Sequence, residues 1–415
     1  MALDEQTYLM HRLALEGSIF FHNELAEPKN VRLFFPPYEG QEDAEYKRDP
    51  HIAFPITGDT INRVASLIHG GMKIECENKT ADDVMQAIME RCDWNELSRD
   101  LLTKPMSTGN HLVVLRSNFN GEVYFEQWPG EYAFRDTMFG MEWFGYMFLP
   151  QKDGTMQPIT HEPKVKDPNL QPVIVFIDEY LFGEVEHGFG FAPGVFIRGV
   201  DKDETGRYAL PYHLRFRELN LEYNKIYSQM AKAMRILQNV WETNADRENP
   251  TNQLSMTPSK INYVGQDGFV RQVGRELDLT WESNTLDRLK AQISASAQVP
   301  DFMTGLTGVG KVESGVALQI VSGPLMELVS RIRSEYIPKI RELLTKAVTA
   351  EFMLKGKSVP VFEITIDMNE SVLPVDKKAE LDMYIAARQN GFITPAMEEA
   401  VSVAVAGLLG IEIAQ

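Results

Sequence analysis

Cysteine is nearly missing from this 415-residue chain: Cys76 and Cys92 are the only two. Two thiols exclude a disulfide framework and a four-thiolate zinc site, and they fit a reducing compartment. Positive charge is short as well. Lys and Arg number 41 against 59 Asp and Glu, a formal net charge of −18. That argues against a free-standing DNA-binding protein, because phosphate affinity comes from counterions released around Lys and Arg. The excess also serves solubility and says nothing about fold. Long hydrophobic runs are missing too. The longest nearly apolar one, Ala400 to Ile411, falls well short of the roughly 20 residues a bilayer requires. The opening MALDEQTYLMHRLALEG carries Asp4 and Glu5 where a signal peptide needs positive charge, so it reads as a helix. A cytosolic, non-membrane protein is expected.

Motifs of catalysis are scarce. The eight histidines show neither H-E-x-x-H nor any paired metal-ligand spacing. No G-x-S-x-G nucleophile elbow occurs. His161-Glu162, beside Pro163, reads as a solvated loop, and Asp178-Glu179 as a turn at a strand end. Nothing supports covalent or acid–base catalysis, and no metal or cofactor is expected.

Composition is otherwise ordinary, with 44% hydrophobic and 24% charged residues, and the length allows about two to four domains. Residues 1–50 hold one helix and then an irregular stretch, Phe34-Phe35-Pro36-Pro37-Tyr38. Ile61, Val64, Ala65 and Ile68 recur at helical spacing until Gly70-Gly71. A strand is predicted over Met72–Cys76, then helices over Thr80–Arg91 and Asn95–Thr103. Composition next turns to β. His111–Leu115, Val123–Gln127, Trp143–Leu149 and Val173–Ile177 are aromatic and β-branched runs parted by Asn120-Gly121, Phe139-Gly140 and Asp153-Gly154. This mixed α+β domain ends near Arg207.

A different regime opens at Pro211. Leu219, Tyr223, Ile226, Met230, Ala233 or Met234, Leu237 and Trp241 recur every three or four residues with no Gly or Pro between. They predict a helix of roughly thirty residues, roughly 45 Å long. Its other faces mix Arg215, Arg217, Glu222, Lys225, Lys232 and Arg235. Either this is a long surface helix of a monomer, or it packs beside copies of itself, which accounts better for its length. Asn244 to Pro258 is polar. Lys260–Val264 and Phe269–Val273 then flank Gly265-Gln266-Asp267-Gly268, the pattern of a β-hairpin. Helix resumes at Trp281, with Leu286, Leu289 and Ile293 on one face, until Pro300. The pattern is a knob on a two-helix stalk.

Residues 304–312, Thr304-Gly305-Leu306-Thr307-Gly308-Val309-Gly310-Lys311-Val312, nearly fit G-x-x-x-x-G-K-[ST]. A P-loop needs a hydroxyl on the metal after the lysine and a strand before the glycines. Val312 replaces the hydroxyl, and an Ala/Ser-rich helix with a proline replaces the strand. Glycines of a mobile loop are the better reading. Ser314 can cap a helix to about Leu354, with kinks expected at Ser322-Gly323-Pro324 and at Pro338. A strand over Pro360–Asp367 and helices over Val375–Gln389 and Pro395–Leu408 complete the chain.

In order and local pattern, roughly residues 50 to 400 resemble the portal proteins of tailed bacteriophages. Three passages carry the likeness. The first runs from Ile293 through Gln298-Val299-Pro300 to Met303, the glycine-rich loop and Glu313-Ser314-Gly315-Val316-Ala317-Leu318-Gln319. The second is the strand pair from Asn110 to Asp136 that includes Trp128-Pro129-Gly130-Glu131-Tyr132. The third is the turn Asn390-Gly391-Phe392-Ile393-Thr394-Pro395. The resemblance implies an α+β fold with a wing (1–210 and 313–372), a two-helix stem (211–241 and 281–303) and a β-containing clip (242–280). It further implies a tunnel loop (304–312), a long kinked wing helix and a short helical crown (373–415).

It also implies a non-enzymatic twelve-subunit ring at one capsid vertex of the virion, assembled in host cytoplasm. Its partners would be double-stranded DNA in transit, the large terminase, the head–tail adaptor, the major capsid protein and scaffold. Stem residues Arg215, Arg217, Lys225, Lys232, Arg235, Arg288 and Lys290, with Lys311 in the tunnel loop, would meet the DNA. Lys311 reads equally as a solvated lysine. Tyr263, Gln266, Asp267, Phe269 and Arg271 of the clip would meet terminase and adaptor, or only a neighbouring subunit. The competing readings are an ATP-hydrolysing packaging enzyme built on the near P-loop and a monomeric scaffold or adaptor.

Overall fold

The computed structural model describes residues 5–37, 39, 41–47, 49–69, 72–128, 130, 131, 133–138, 141–150, 156–158, 173–238, 241–243, 270–272, 279–300 and 322–368. Helix and sheet are mixed throughout. The chain opens with helices α1 (Glu5–Phe21), α2 (Val31–Phe34), α3 (Asp43–Tyr46) and α4 (Ile56–His69), then strand β1 (Lys73–Cys76), α5 (Lys79–Arg91) and α6 (Trp94–Thr108). Gly17 is where α1 crosses α6: a Cβ there would lie 2.0 Å from the Ser107 carbonyl oxygen. The proline in α6 does not end it. The helix runs through Pro105 instead of stopping at Thr103, and the Ser107 and Thr108 hydroxyls both donate to the Lys104 carbonyl at 2.9 Å in its last turn. Gly109, at φ +86°, then turns the chain out.

Strands β2 (Asn110–Ser117), β3 (Val123–Trp128) and β10 (Gly194–Arg198) form a sheet in the order β10-β2-β3. It is buried on both faces. Val113, Leu115, Val195 and Ile197 enter the main core, while Leu112, Val114, Trp128 and Phe196 enter a second cluster with Met10 of α1. The period of two along each strand produces that division. A second antiparallel sheet joins β4 (Ala133–Met138), β5 (Met141–Pro150), β6 (Met156–Pro158), β7 (Val173–Ile177), β8 (Leu181–Phe182) and β9 (Val185–Glu186). Phe144 and Ile177 carry it onto the second cluster. The hairpin of β11 (Asp201–Lys202) and β12 (Ala209–Leu210) leads to a 3-10 turn, Tyr212–Arg215.

Helix α7 (Arg217–Gln238) has 22 residues, about 33 Å, and so is shorter than its periodicity suggested. Trp241 is not helical: β13 (Trp241–Thr243) pairs antiparallel with β14 (Val270–Gln272). The ladder satisfies backbone groups on both segments, and this outweighs the helical spacing of Trp241. Helix α8 (Thr280–Ser296) returns beside α7. Helix α9 (Gly323–Leu354) is 32 residues long. Pro324 lies in its first turn, where no intrahelical donor is lost, and the expected helical stretch from Ser314 to Ile320 lies outside the described residues. Pro338 lies inside it. Strand β15 (Ile364–Asp367) pairs with β1.

The main core gathers α4, α5, α6, the roots of α7 and α8, most of α9 and β15. Phe34 and Phe35 are buried with Phe20, Leu25 and Leu221. The tunnel loop, the Lys260–Val264 strand, Tyr263, Gln266, Asp267 and Phe269, Ser314 and the two C-terminal helices lie outside the described residues.

Candidate functional site

The most constrained feature is the root of the α7–α8 hairpin. The start of α7 meets the end of α8, so the two helices run antiparallel: Tyr212 donates its hydroxyl proton to the Ala297 carbonyl. Arg215 is the centre. Its Nε and Nη2 grip both oxygens of Asp201 at 2.6 and 2.7 Å, and its Nη1 reaches Gln298 Oε1 at 2.6 Å. Arg331 of α9 adds a bond to Asp201 at 3.1 Å. Asp201 thereby ties the β11 hairpin to the turn before α7 and to α9, and Arg215 carries the link on to Gln298 at the end of α8. Burial opposes the charge on Asp201, but Arg215 and Arg331 outweigh it and hold the carboxyl below its usual range.

Gln298 is strained. Its φ is +54°, while Gln298 N–H reaches Ala295 O and Val299 N–H reaches Ser294 O, each at 3.1 Å. That is the helix-ending motif usually given to glycine. The Arg215 bond to its side chain compensates.

A second node lies beside it. Arg217 pairs with Glu16 of α1 and with Glu218, and the buried His213 reaches Glu16 Oε1 at 3.3 Å. Phe20 stacks on the His213 ring at 4.6 Å. Burial pushes the His213 pKa down against the pull of Glu16, so the ring is neutral and Nε2–H donates. Further along α7, Asn220, Asn224 and Ser228 form a buried polar row. Asn224 Oδ1 accepts from Phe54 N–H at 3.1 Å and Ser228 Oγ from Ile52 N–H at 2.9 Å, while Asn220 Nδ2 donates to Thr57 Oγ1 at 3.5 Å. The row straps residues 52–57 along the helix.

Four of the seven cations expected to face DNA are thus paired within the chain: Arg215, Arg217, Lys232 with Asp49 at 2.8 Å, and Lys290 with Asp287 at 3.1 Å. Arg288 is exposed on α8. Lys225 lines a groove of about 360 Å³ with Phe35, Tyr46, His51 and Lys232. Arg235 lies in α7, and Arg271 of the clip set lies in β14 opposite Glu242.

A polar cavity of about 420 Å³ separates α1 and α6 near Glu131 and His111. Burial lowers the His111 pKa to about 3 and raises that of Glu131. Divergent shifts can mark a catalytic pair. Here His111 Nε2 is 3.1 Å from Gln127 Oε1, which also accepts from Lys104 at 2.7 Å, while Gln127 Nε2 donates to Asp100 at 3.1 Å. The Gln127 amide is satisfied on both sides, whereas His111 Nδ1 and Glu131 Oε2 are buried without a hydrogen-bond partner among the described residues, and His111 is sealed from solvent. Among the described residues no group of three or more His, Cys, Asp or Glu could hold a metal ion. Among them, too, no helix is long and apolar enough to cross a membrane.

Asp201, Gln298, Arg331 and Glu16 carry these nodes and escape a reading by motif. Asp201 stands 14 residues from Arg215 and 130 from Arg331, so no local spacing announces it. The Asn220, Asn224 and Ser228 row was detectable, as polar residues recurring every four positions.

No family model matches the chain, and no curated protein does. Solved structures similar to it include the following three. The neck of an empty gene transfer agent (GTA) particle computed with C6 symmetry matches with a TM-score of 0.48 at 13% identity, over 92% of this chain and 96% of that one. The neck of a native GTA particle computed with C12 symmetry matches at 0.46 and 13%, over 87% and 91%. The virion of a native GTA particle matches at 0.44 and 11%, over 96% and 100%. At these scores and identities the likeness fixes neither a shared fold nor a function.

Proposed function

We propose that this chain is a non-enzymatic structural protein of a phage-like particle, the portal at one capsid vertex. Copies close into a ring, twelve on the family pattern, around a channel for genome packaging and ejection. The observation that carries the reading is the gradient along the α7–α8 hairpin. At its root Tyr212, Phe216, Ile293 and Ala297 are buried, whereas Met234 near the end of α7 and Trp281 at the start of α8 are 41% and 71% exposed. A hairpin locked at one end, with apolar side chains bare at the other, is a strut whose far end awaits neighbours. The order of elements that resembles portal proteins supports the same reading.

In this reading residues 304–312 hang into the bore, and Lys311 touches the DNA backbone transiently. Residues 242–280 form the clip, where Tyr263, Gln266, Asp267, Phe269 and Arg271 dock terminase and then the adaptor. The wing meets the major capsid protein and scaffold. A channel must contact phosphates without holding them, and an acidic chain with few free cations meets that need.

The test is direct imaging of the purified protein with a mass measurement. Rings near twelve copies with an axial hole are expected, and a solitary globule ends the reading. Nucleotide titration should show no binding; a bound triphosphate would favour the packaging ATPase. Lys311→Ala that packages and retains DNA like the parent at every salt concentration removes that role. Changes at Asp267 and Phe269 that leave motor and adaptor docking intact remove the clip assignment.

A further inference from the structure

Two exposed patches of opposite charge lie on opposite sides of one sheet. The first is the hairpin of β8 and β9. Between Ile177 and Arg198 the chain has Asp178, Glu179, Glu184 and Glu186 and no Lys. Tyr180 and Val185 are 60% and 67% exposed. Glu184 and Glu186 are exposed beside them, and neither has an ion pair among the described residues. Val185 stands opposite Phe182 in the ladder, so the two point the same way. Phe182 packs on the second cluster with Arg116 at 4.2 Å over its ring, and Arg116 is itself paired with Glu126.

The second patch is the end of α9 and the segment after it. Met353, Leu354 and Val359 are exposed, and Val361 is 97% exposed. The charged residues between Glu351 and Glu363 are Lys355 and Lys357 alone. Lys355 leans on Glu351 at 2.6 Å. Lys357 is exposed and has no ion pair among the described residues. Single apolar side chains on a surface need no explanation. Here each patch joins apolar side chains to one sign of charge, and the signs are opposite, which is how docking surfaces select each other.

Their placement decides who can meet whom. The hairpin packs on the face of β2 and β3 that carries Val114 and Trp128, and α9 on the face that carries Val113 and Leu115. A Cβ on Gly121, in the turn between those strands, would lie 3.3 Å from Leu354 Cβ. The sheet thus stands between the two patches of one copy. Two different surfaces on opposite sides are what a head-to-tail contact uses, and such contacts close into rings where the rotation permits.

We propose that copies of this chain join head to tail through these patches, the β8–β9 hairpin of one copy docking on residues 353–361 of the next. Tyr180 and Val185 then cover Leu354 and Val361, and Glu184 and Glu186 face Lys357. Closure of the contact into a ring rests on the reading above; the complementary patches stand without it.

The test measures assembly against concentration, by mass and imaging at low salt, where exposed charges are least screened. The parent is compared with Lys357→Glu, with Glu184→Lys/Glu186→Lys, and with all three changes together. The positions are exposed, so the thermal midpoint of the dilute single chain should move by about 2 °C or less. Each one-sided reversal should raise the concentration needed for assembly about tenfold or more, because like charges then face each other. The combined variant should return to within about threefold of the parent. Rings formed equally well by every variant would overturn the proposal and leave the ring reading standing. Weakening by each reversal without recovery in the combined variant would show that the two patches do not meet, and would overturn it too. Open filaments or dimers that follow the same charge pattern would uphold the contact and defeat the ring. A parent that stays monomeric at every concentration ends both.

Discussion

Gln298 sets two effects of similar size against each other, and their balance can be measured. Its φ of +54° places a side chain in the left-handed region, a strain of about 1–2 kcal/mol. Glycine would relieve it, less about 0.4–1 kcal/mol for the freer unfolded chain, a net gain of about 0.5–1 kcal/mol. Against that stands the 2.6 Å bond from Arg215 Nη1. It is charge-assisted, and the Arg215 side chain is only 15% exposed, so the bond contributes about 1.5–3 kcal/mol. Gln298→Gly should therefore lose about 1–2 kcal/mol. Gln298→Ala forfeits the bond and keeps the strain, and should lose about 1.5–3 kcal/mol. Urea titrations of the three proteins should order them parent, Gly, Ala. A Gly variant more stable than the parent would mean that the Arg215 bond is weaker than the strain it is said to offset. An Ala variant equal to or above Gly would remove the strain.

Three further outcomes follow from the same geometry. Glu351, with a side chain 2% exposed, accepts from Arg91 at 3.0 Å, Lys355 at 2.6 Å and Val123 N–H at 3.0 Å, and Glu351→Gln should lose about 2–4 kcal/mol at neutral pH. Burial opposes its charge but the three donors outweigh it, so its pKa is lowered; its stabilisation is full above the unfolded value of about 4.3 and drains as pH falls through the lower folded value. A parent urea midpoint that stays flat from about pH 6 to pH 3 would contradict this. Asn224→Leu leaves Phe54 N–H unmet and should cost about 1–3 kcal/mol, with faster amide exchange at Phe54; unchanged exchange refutes the strap. Arg215→Met should destabilise the chain by about 2–4 kcal/mol, whereas Arg288→Met should stay within about 0.5 kcal/mol and, in a DNA-binding ring, reduce the salt dependence of binding. The reverse pattern would mean that the stem cations have been misassigned.

Legibility followed the range of the interactions. Val173–Ile177 is a strand to the residue, and Leu286, Leu289 and Ile293 are buried on one face of α8, because a half-buried element writes its period into its own sequence. Gly194–Arg198 was passed over because its apolar run is short, and only its place beside β2 makes it a strand. Trp241 fitted a helical stripe until the ladder with Val270–Gln272 claimed it. The helix expected to end at Thr103 runs on through Pro105 to Thr108, because the packing of Leu101, Leu102 and Met106 in the core holds the segment helical past the proline. The site was harder still. Arg215 was found for its charge, yet its role depends on Asp201 and Gln298, which meet it only in the folded chain.

The pairing of the stem cations changes what the hairpin can be. A helix pair studded with free Arg and Lys would grip duplex phosphates, each contact releasing counterions and deepening the well. Here Arg215, Arg217, Lys232 and Lys290 hold carboxylates of their own chain, and the bonds at the root run to α1, to the β11 hairpin and to α9. Those interactions resist bending at the root, where a load applied at β13 and β14 would concentrate. Charge used in this way stiffens a strut and is less available to a passing polymer. In the proposed channel the two demands would agree, since the ion pairs that anchor the hairpin also lower the number of cations left to hold phosphate.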